Sequence, residues 1–256
     1  MSGHSKWSTI KRQKGANDAK RGQAFTKLAN AITIATKLGA SGDIESNPRL
    51  RMAVEEARGL NMPKENVQRA IDRGLGKLGG GSFEEVLYEG FGPGRVAFIV
   101  EGVTDNKNRT NSEIRNIFDK SGGAMGSTGS VAYMFDHKGE IKVKNKNPDA
   151  EEDLLELIDL GADDVEEIEE DGQKKFLVYV ATTELSNMSN KITQQGFTIE
   201  KSELMFKPNM ITEIKDKDMA EKVLHFAEKI EDNDDVQKVY ANFDIPEEIL
   251  NQIHPN

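Results

Sequence analysis

The stretch VEEIEEDGQKKFLVYV, residues 165–180, decides the fold. Two short runs rich in β-branched and aromatic residues, 165–168 and 176–180, flank Asp171-Gly172, a strong hairpin turn in which glycine supplies the positive φ that tight turns need. Working outward from this hairpin, residues 149–160 read as a helix with Leu154, Leu157 and Ile158 inward and Gly161 as its stop. Before it, Ile141-Lys142-Val143 reads as a strand; after the hairpin come a helix at 183–195 and a strand at 197–206. The order βαββαβ over 139–206 matches the ferredoxin-like pattern. This module is strongly acidic, with Glu151-Glu152-Asp153 and a second run at 163–171.

The flanks read as parts of something else. Val86-Leu87-Tyr88 and residues 96–103 predict strands joined through the turn Gly90-Phe91-Gly92-Pro93-Gly94. Residues 108–120 predict a helix with Ile114, Ile117 and Phe118 inward and Gly122-Gly123 as stop, and 131–135 predicts another strand. Beyond the module, a helix at 216–230 and a strand at 236–243 are too few to fold alone. They are expected to return and complete the sheet begun at 83–136, making 139–206 an insertion. Upstream, 17–74 reads as helices. Asn17 or Asp18 caps the first, with Phe25, Leu28, Ala29, Ile32 and Ala35 as its apolar stripe and Gly39 as a left-handed stop. A second starts at Asn47-Pro48, with Val54, Ala57 and Leu60 inward; a third starts at Pro63, with Val67, Ala70 and Ile71 inward, and ends at Gly74. Five glycines among the nine residues 74–82 read as a flexible linker. The expected fold class is α+β: a helical N-terminal domain followed by two α/β (ferredoxin-like) domains, one inserted in the other. The expected boundaries are 1–78, 83–136 with 207–246, and 137–206.

Composition excludes several function classes. The 256 residues contain no cysteine, which removes disulfides, thiolate zinc sites and thiol catalysis. Residues 96–100, the longest strongly apolar run, are far too short to span a bilayer, and residues 1–14 have charge without an apolar signal region. A cytoplasmic protein without a membrane partner is expected. Catalytic motifs are missing too: there is no phosphate loop of the Gly-x-x-x-x-Gly-Lys-Ser/Thr type, and His4, His137, His225 and His254 are scattered. The glycine-rich 122–130 segment could present N–H groups to a phosphate, but reads better as a helix stop and strand entry. Asp232-Asn233-Asp234-Asp235 lacks the glycine and terminal glutamate of a calcium loop and reads as a solvated turn. No enzyme, cofactor, metal or small-molecule substrate is implied.

Charge segregation points elsewhere. The net charge is −10, yet residues 1–77 carry 15 Lys+Arg against 7 Asp+Glu, or +8, leaving 19 against 37, or −18, for the remainder. The arm 1–14 holds His4, Lys6, Trp7, Lys11, Arg12 and Lys14 with no carboxylate. Cationic side chains neutralise phosphates and release counterions, so the arm is the first candidate for nucleic-acid contact. Trp7 either stacks on an exposed base or packs back on the helical domain. Lys20 and Lys27 share another face of the first helix, Arg69 and Arg73 lie on the third, and Lys107 and Arg109 open the helix after 96–103, where an N-terminus favours anions. An Asn/Asp cap is the competing reading of that last site.

Gly3-His4-Ser5-Lys6-Trp7, Asn61-Met62-Pro63-Lys64, the 69–74 run Arg-Ala-Ile-Asp-Arg-Gly, the 88–94 run Tyr-Glu-Gly-Phe-Gly-Pro-Gly, 104–110, Gly129-Ser130-Val131 and 239–245 closely resemble the YebC family. Arg95 stands where that family often has another glycine. The resemblance covers nearly the whole chain. It implies a three-domain protein, a helical domain plus two α/β domains with one inserted, that controls gene expression without catalysis. Bacterial members are described as DNA-binding transcriptional regulators, or as ribosome-associated translation factors, and a mitochondrial relative is a translational activator. The implied partner is DNA, or ribosomal RNA in the ribosome. The residues leave both open, together with a protein-only adaptor whose acidic module binds basic proteins. Only Asn61-Met62 separates the second and third helices, short for a helix-turn-helix.

Overall fold

The computed structural model describes residues 18–79, 82–147, 150–170 and 172–253, with side chains from Arg21 onward. In chain order come α1 (Asp18–Leu38), α2 (Pro48–Gly59), α3 (Lys64–Gly74), β1 (Glu84–Phe91), β2 (Ala97–Thr104), α4 (Lys107–Lys120) and β3 (Ala124–Met125). Next are β4 (Phe135–Lys144), α5 (Ala150–Asp159), β5 (Asp164–Glu170), β6 (Gln173–Ala181), α6 (Leu185–Gln194), β7 (Ile199–Pro208) and β8 (Thr212–Glu213). The chain ends with α7 (Lys217–Glu231), β9 (Val236–Ala241), β10 (Phe243–Asp244) and α8 (Glu247–Ile253). One compact unit contains α1–α4, β1–β3, α7, β9 and α8; the other contains β4–β8, α5, α6 and β10.

In the first unit the predicted stripe of α1, Phe25 to Ala35, meets Leu50, Val54 and Ala57 of α2 and Val67, Ala70 and Ile71 of α3. Asn47 caps α2 by accepting from the Leu50 N–H at 3.1 Å, and Pro48 fills the first helical position, where no N–H is needed. The stop of α1 differs from expectation. Ala40, not Gly39, adopts the left-handed conformation, at φ 48°. Gly39 is required for space: a Cβ there would lie 2.2 Å from Asn47 Nδ2. Leu60 is likewise not inward but 48% exposed. Residues 60–63 join α2 to α3, with Asn61 at φ 57°, Met62 buried in the helical core and Pro63 as the cap residue.

The sheet of this unit has the order β3-β1-β2-β9 and is antiparallel throughout. The late strand β9 pairs with β2 at the edge of this sheet. The fully buried rings of Phe98 on β2, Phe118 on α4 and Phe226 on α7 meet edge to face, with centroids 4.8 and 4.9 Å apart. Each such ring contributes roughly 1.5–3 kcal/mol through burial alone. The strand expected at 131–135 is absent: 132–134 is a single 3-10 turn, and Phe135 begins β4.

The second unit has a sheet of order β5-β6-β4-β7, antiparallel throughout, which is the ferredoxin-like arrangement. The hairpin lies where expected, with Glu170 opposite Gln173 and Gly172 at φ 71°; Asp171 falls outside the described residues. Helices α5 and α6 cover one sheet face through Leu157, Met188 and Ile192 against Ile141, Val143, Phe176 and Val178. Ile158 departs from its predicted inward position and is 47% exposed. Elsewhere on the sheet, Lys175 Nζ lies 2.8 Å from Glu170 and 2.9 Å from Glu200, and Lys142 also pairs with Glu170. The strand expected over 236–243 is interrupted by buried Asn242, whose carbonyl accepts from the Thr212 N–H at 2.8 Å. Phe243 and Asp244 then pair in parallel with β8.

Candidate nucleic-acid interface

The expected contacts His4, Lys6, Trp7, Lys11, Arg12 and Lys14 lie outside the described residues, as does the side chain of Lys20. The remaining cations are found in three settings. On α3, packing of Val67, Ala70 and Ile71 against the helical core turns Lys64, Arg69 and Arg73 outward. At 100° per residue Arg69 and Arg73 stand about 40° apart on the helix, and Lys64 about 140° from Arg69. Arg73 lies over the Phe83 ring, its guanidinium carbon 5.7 Å from the centroid. Four residues join α2 and α3 rather than two, because Leu60 and Pro63 fall outside the helices. That length suits a helix-turn-helix connection.

Lys27 behaves differently from its reading as a surface cation. It is half-buried, and its ammonium donates to the Glu231 carbonyl. On the same stripe, Gln23 Nε2 donates to the Asp232 carbonyl at 3.3 Å and Asn30 Nδ2 to the Asp234 carbonyl at 3.4 Å. Three side chains spaced i, i+4 and i+7 thus clamp the loop between α7 and β9. Orphan carbonyls at the end of α7 receive their donors from α1.

The α4 terminus is a cap before anything else. Asn106 accepts from the Arg109 N–H at 3.1 Å, and Lys107 is exposed beside it. Arg109 is committed to carboxylates: it sits 2.7 Å from Asp235 Oδ2 and 3.1 Å from Asp105. Its hydrogen bond to Asp235 raises its pKa above the usual arginine range. Asp235 Oδ2 also accepts from Thr110 Oγ1 at 2.6 Å and Thr104 Oγ1 at 3.1 Å. The solvated-turn reading of 232–235 therefore fails at Asp235, which is buried. Arg73 and Arg109 line a common cleft of about 500 Å³, but with five carboxylates: Asp105, Glu113, Asp232, Asp234 and Asp235. An anion entering there meets net negative charge.

The end of the 122–130 loop is held from within the protein. Buried Glu89 on β1 accepts from the N–H groups of Gly129, Val131 and Ala132 at 2.7, 2.9 and 2.9 Å. A protein carboxylate fills the role a phosphate would have played there. Nothing in the local pattern marks Glu89 or Asp235, since each acts on a segment distant in sequence. Among the described residues, no group of three or more His, Asp or Glu could hold a metal ion, and no helix is long and apolar enough to cross a membrane.

Two family models match the chain. Residues 5–77 match the model of the TACO1/YebC protein N-terminal domain, and 83–243 match that of the TACO1/YebC second and third domain. The chain belongs to the YebC family. A relative from Syntrophobacter fumaroxidans is 48% identical over 254 residues, covering 99% of this chain and all of that one. One from Chloroflexus aggregans is 50% identical over 252 residues, covering 98% of each chain. Both carry the description "Probable transcriptional regulatory protein". A crystal structure of a conserved hypothetical protein from Aquifex aeolicus is 45% identical, with a TM-score of 0.79 over 91% of this chain and 94% of that one. The YebC fold is thus shared from the helical region through both sheets.

Proposed function

We propose that the protein is a non-catalytic regulator of gene expression that binds DNA through the outward face of α3 together with the basic arm. The observation that carries this reading is the exposure of Lys64 and Arg69 on a helix entered by a four-residue connection, with Arg73 beside them at the rim of the acidic cleft. Cations on a short helix after a turn suit phosphate and groove contacts. The description of the relatives as transcriptional regulatory proteins supports it. In this reading His4, Lys6, Trp7, Lys11, Arg12, Lys14, Lys20 and Lys107 add contacts, while Lys27 and Arg109 are structural.

A competition at fixed salt between duplex DNA and ribosomes tests the reading with the intact protein. Saturable preference for DNA supports it; preference for ribosomes overturns it in favour of a translation factor. Arg69→Gln is expected to weaken DNA binding and lower the salt slope by about one. Removing residues 1–14, with their four Lys+Arg, is expected to lower that slope by up to about 3–4. Unchanged slopes in both variants would place the contacts elsewhere.

A further inference from the structure

Helix α5 presents an apolar pair to solvent. Leu155 is 62% exposed and Ile158 47%, while Leu157 on the opposite side is fully buried. At 100° per residue, Glu151, Glu152, Leu155, Ile158 and Asp159 fall within about 120° of the helix circumference. The helix sequence AEEDLLELID has no lysine or arginine. At its edges Lys146 pairs with Glu156 at 2.7 Å, and Lys191 donates to the Leu160 carbonyl at 3.1 Å. Core packing of α5 is complete without Leu155 and Ile158, since Leu154 and Leu157 already reach the sheet.

We propose that this face docks a cationic protein segment with two apolar anchors one helical turn apart. Charge complementarity selects the partner: exposed Glu152 and Asp159 beside two exposed aliphatic side chains, on a helix without lysine or arginine, repel nucleic acid and favour lysine- and arginine-rich peptide. The two anchors set the register, as in helix-on-helix recognition through i and i+3 positions. The carboxylates at the rim speed encounter, and the aliphatic pair supplies the part of the affinity that salt does not screen. This site is independent of the DNA contacts assigned above.

The probe is a fluorescein-labelled, lysine-rich peptide with two leucines three residues apart, titrated by anisotropy against the full chain. A matched peptide with serine at both leucine positions is the control. The leucine peptide is expected to bind the full chain and the serine peptide roughly tenfold more weakly. Leu155→Ser and Ile158→Ser should each weaken the leucine peptide about fivefold to tenfold without changing the circular dichroism or melting of these exposed positions. Glu152→Gln with Asp159→Asn should weaken it mainly at low salt. Equal binding by all variants would reduce the effect to general attraction to an acidic protein and overturn the proposal. So would an absence of binding. Self-association of the chain that Leu155→Ser abolishes would assign the face to a second copy instead.

Discussion

Arg95 holds a backbone conformation, φ 58°, that glycine adopts without strain, directly after Gly94 at φ 67°. A left-handed residue with a Cβ costs about 1–2 kcal/mol. Glycine returns about 0.5–1 kcal/mol of that through the larger entropy of its unfolded chain. Arg95→Gly is therefore expected to stabilise the protein by about 0.5–1 kcal/mol, read from the urea midpoint; a loss of stability would show that the arginine side chain has a compensating contact. At this scale the sequence is only partly legible. The left-handed residue after α1 is Ala40 because Gly39 is held against Asn47, twelve residues from its bonded partner Ala35. Ile158 shares the spacing of the core residues of α5 yet faces out, since Leu154 and Leu157 already fill the width of the sheet contact.

Asp235 acts at the scale of elements. It ties the end of β2, through Thr104, to the first turn of α4, through Arg109 and Thr110, and to the start of β9. Asp235→Ala takes one acceptor from the Thr104 and Thr110 hydroxyls and from the Arg109 guanidinium, while Arg109 keeps Asp105 and Thr110 keeps the Asn106 carbonyl. The expected loss is roughly 2–4 kcal/mol, discounted for the exposure of Arg109. Thermal melting checks this, and a loss below about 1 kcal/mol would show that water replaces the carboxylate. The elements themselves were mostly readable. Caps, stops and the Asp171-Gly172 turn are local signals, so α2, α4, α5, α7 and the β5–β6 hairpin stand within a few residues of expectation. Residues 131–135 form a continuous apolar run that reads as a strand, but Glu89 accepts from the Val131 and Ala132 N–H groups and a 3-10 turn follows. The clamp of Gln23, Lys27 and Asn30 was invisible for the same reason: its acceptors are backbone carbonyls some two hundred residues away.

For the whole molecule, acidity has a pH signature. Glu140 on β4 stands in register with Tyr179 on β6 and Glu203 on β7. Burial first, and the Glu203 charge second, raise its pKa above the ordinary 4.5. The folded chain thus holds this proton more tightly than the unfolded chain. Its contribution to stability is full below the ordinary value and is lost as pH rises through the raised one. Glu140→Gln should be more stable than the parent at pH 7, with the difference closing in acid; urea titrations across that window check it, and a constant difference would assign the effect to packing. The ferredoxin-like strand order is legible because the βαββαβ module is complete in itself, leaving α7 and β9 without a sheet of their own. The cationic arm is legible from composition; the engagement of Lys27 with a carbonyl and of Arg109 with carboxylates is not, because pairing depends on the folded neighbours.

The pairing of β2 with β9 also sets a clock. During synthesis, β2 is finished at Thr104, but the strand that covers its edge ends at Ala241, some 137 residues later. At about 5–20 residues per second, that edge waits roughly 7–27 seconds for its partner. Its Ala97-Phe98-Ile99-Val100 run is the kind of unpaired apolar edge that seeds aggregation. Meanwhile the sheet of β4 to β7 can form from its own strands, so a late-made strand closes the first-made sheet.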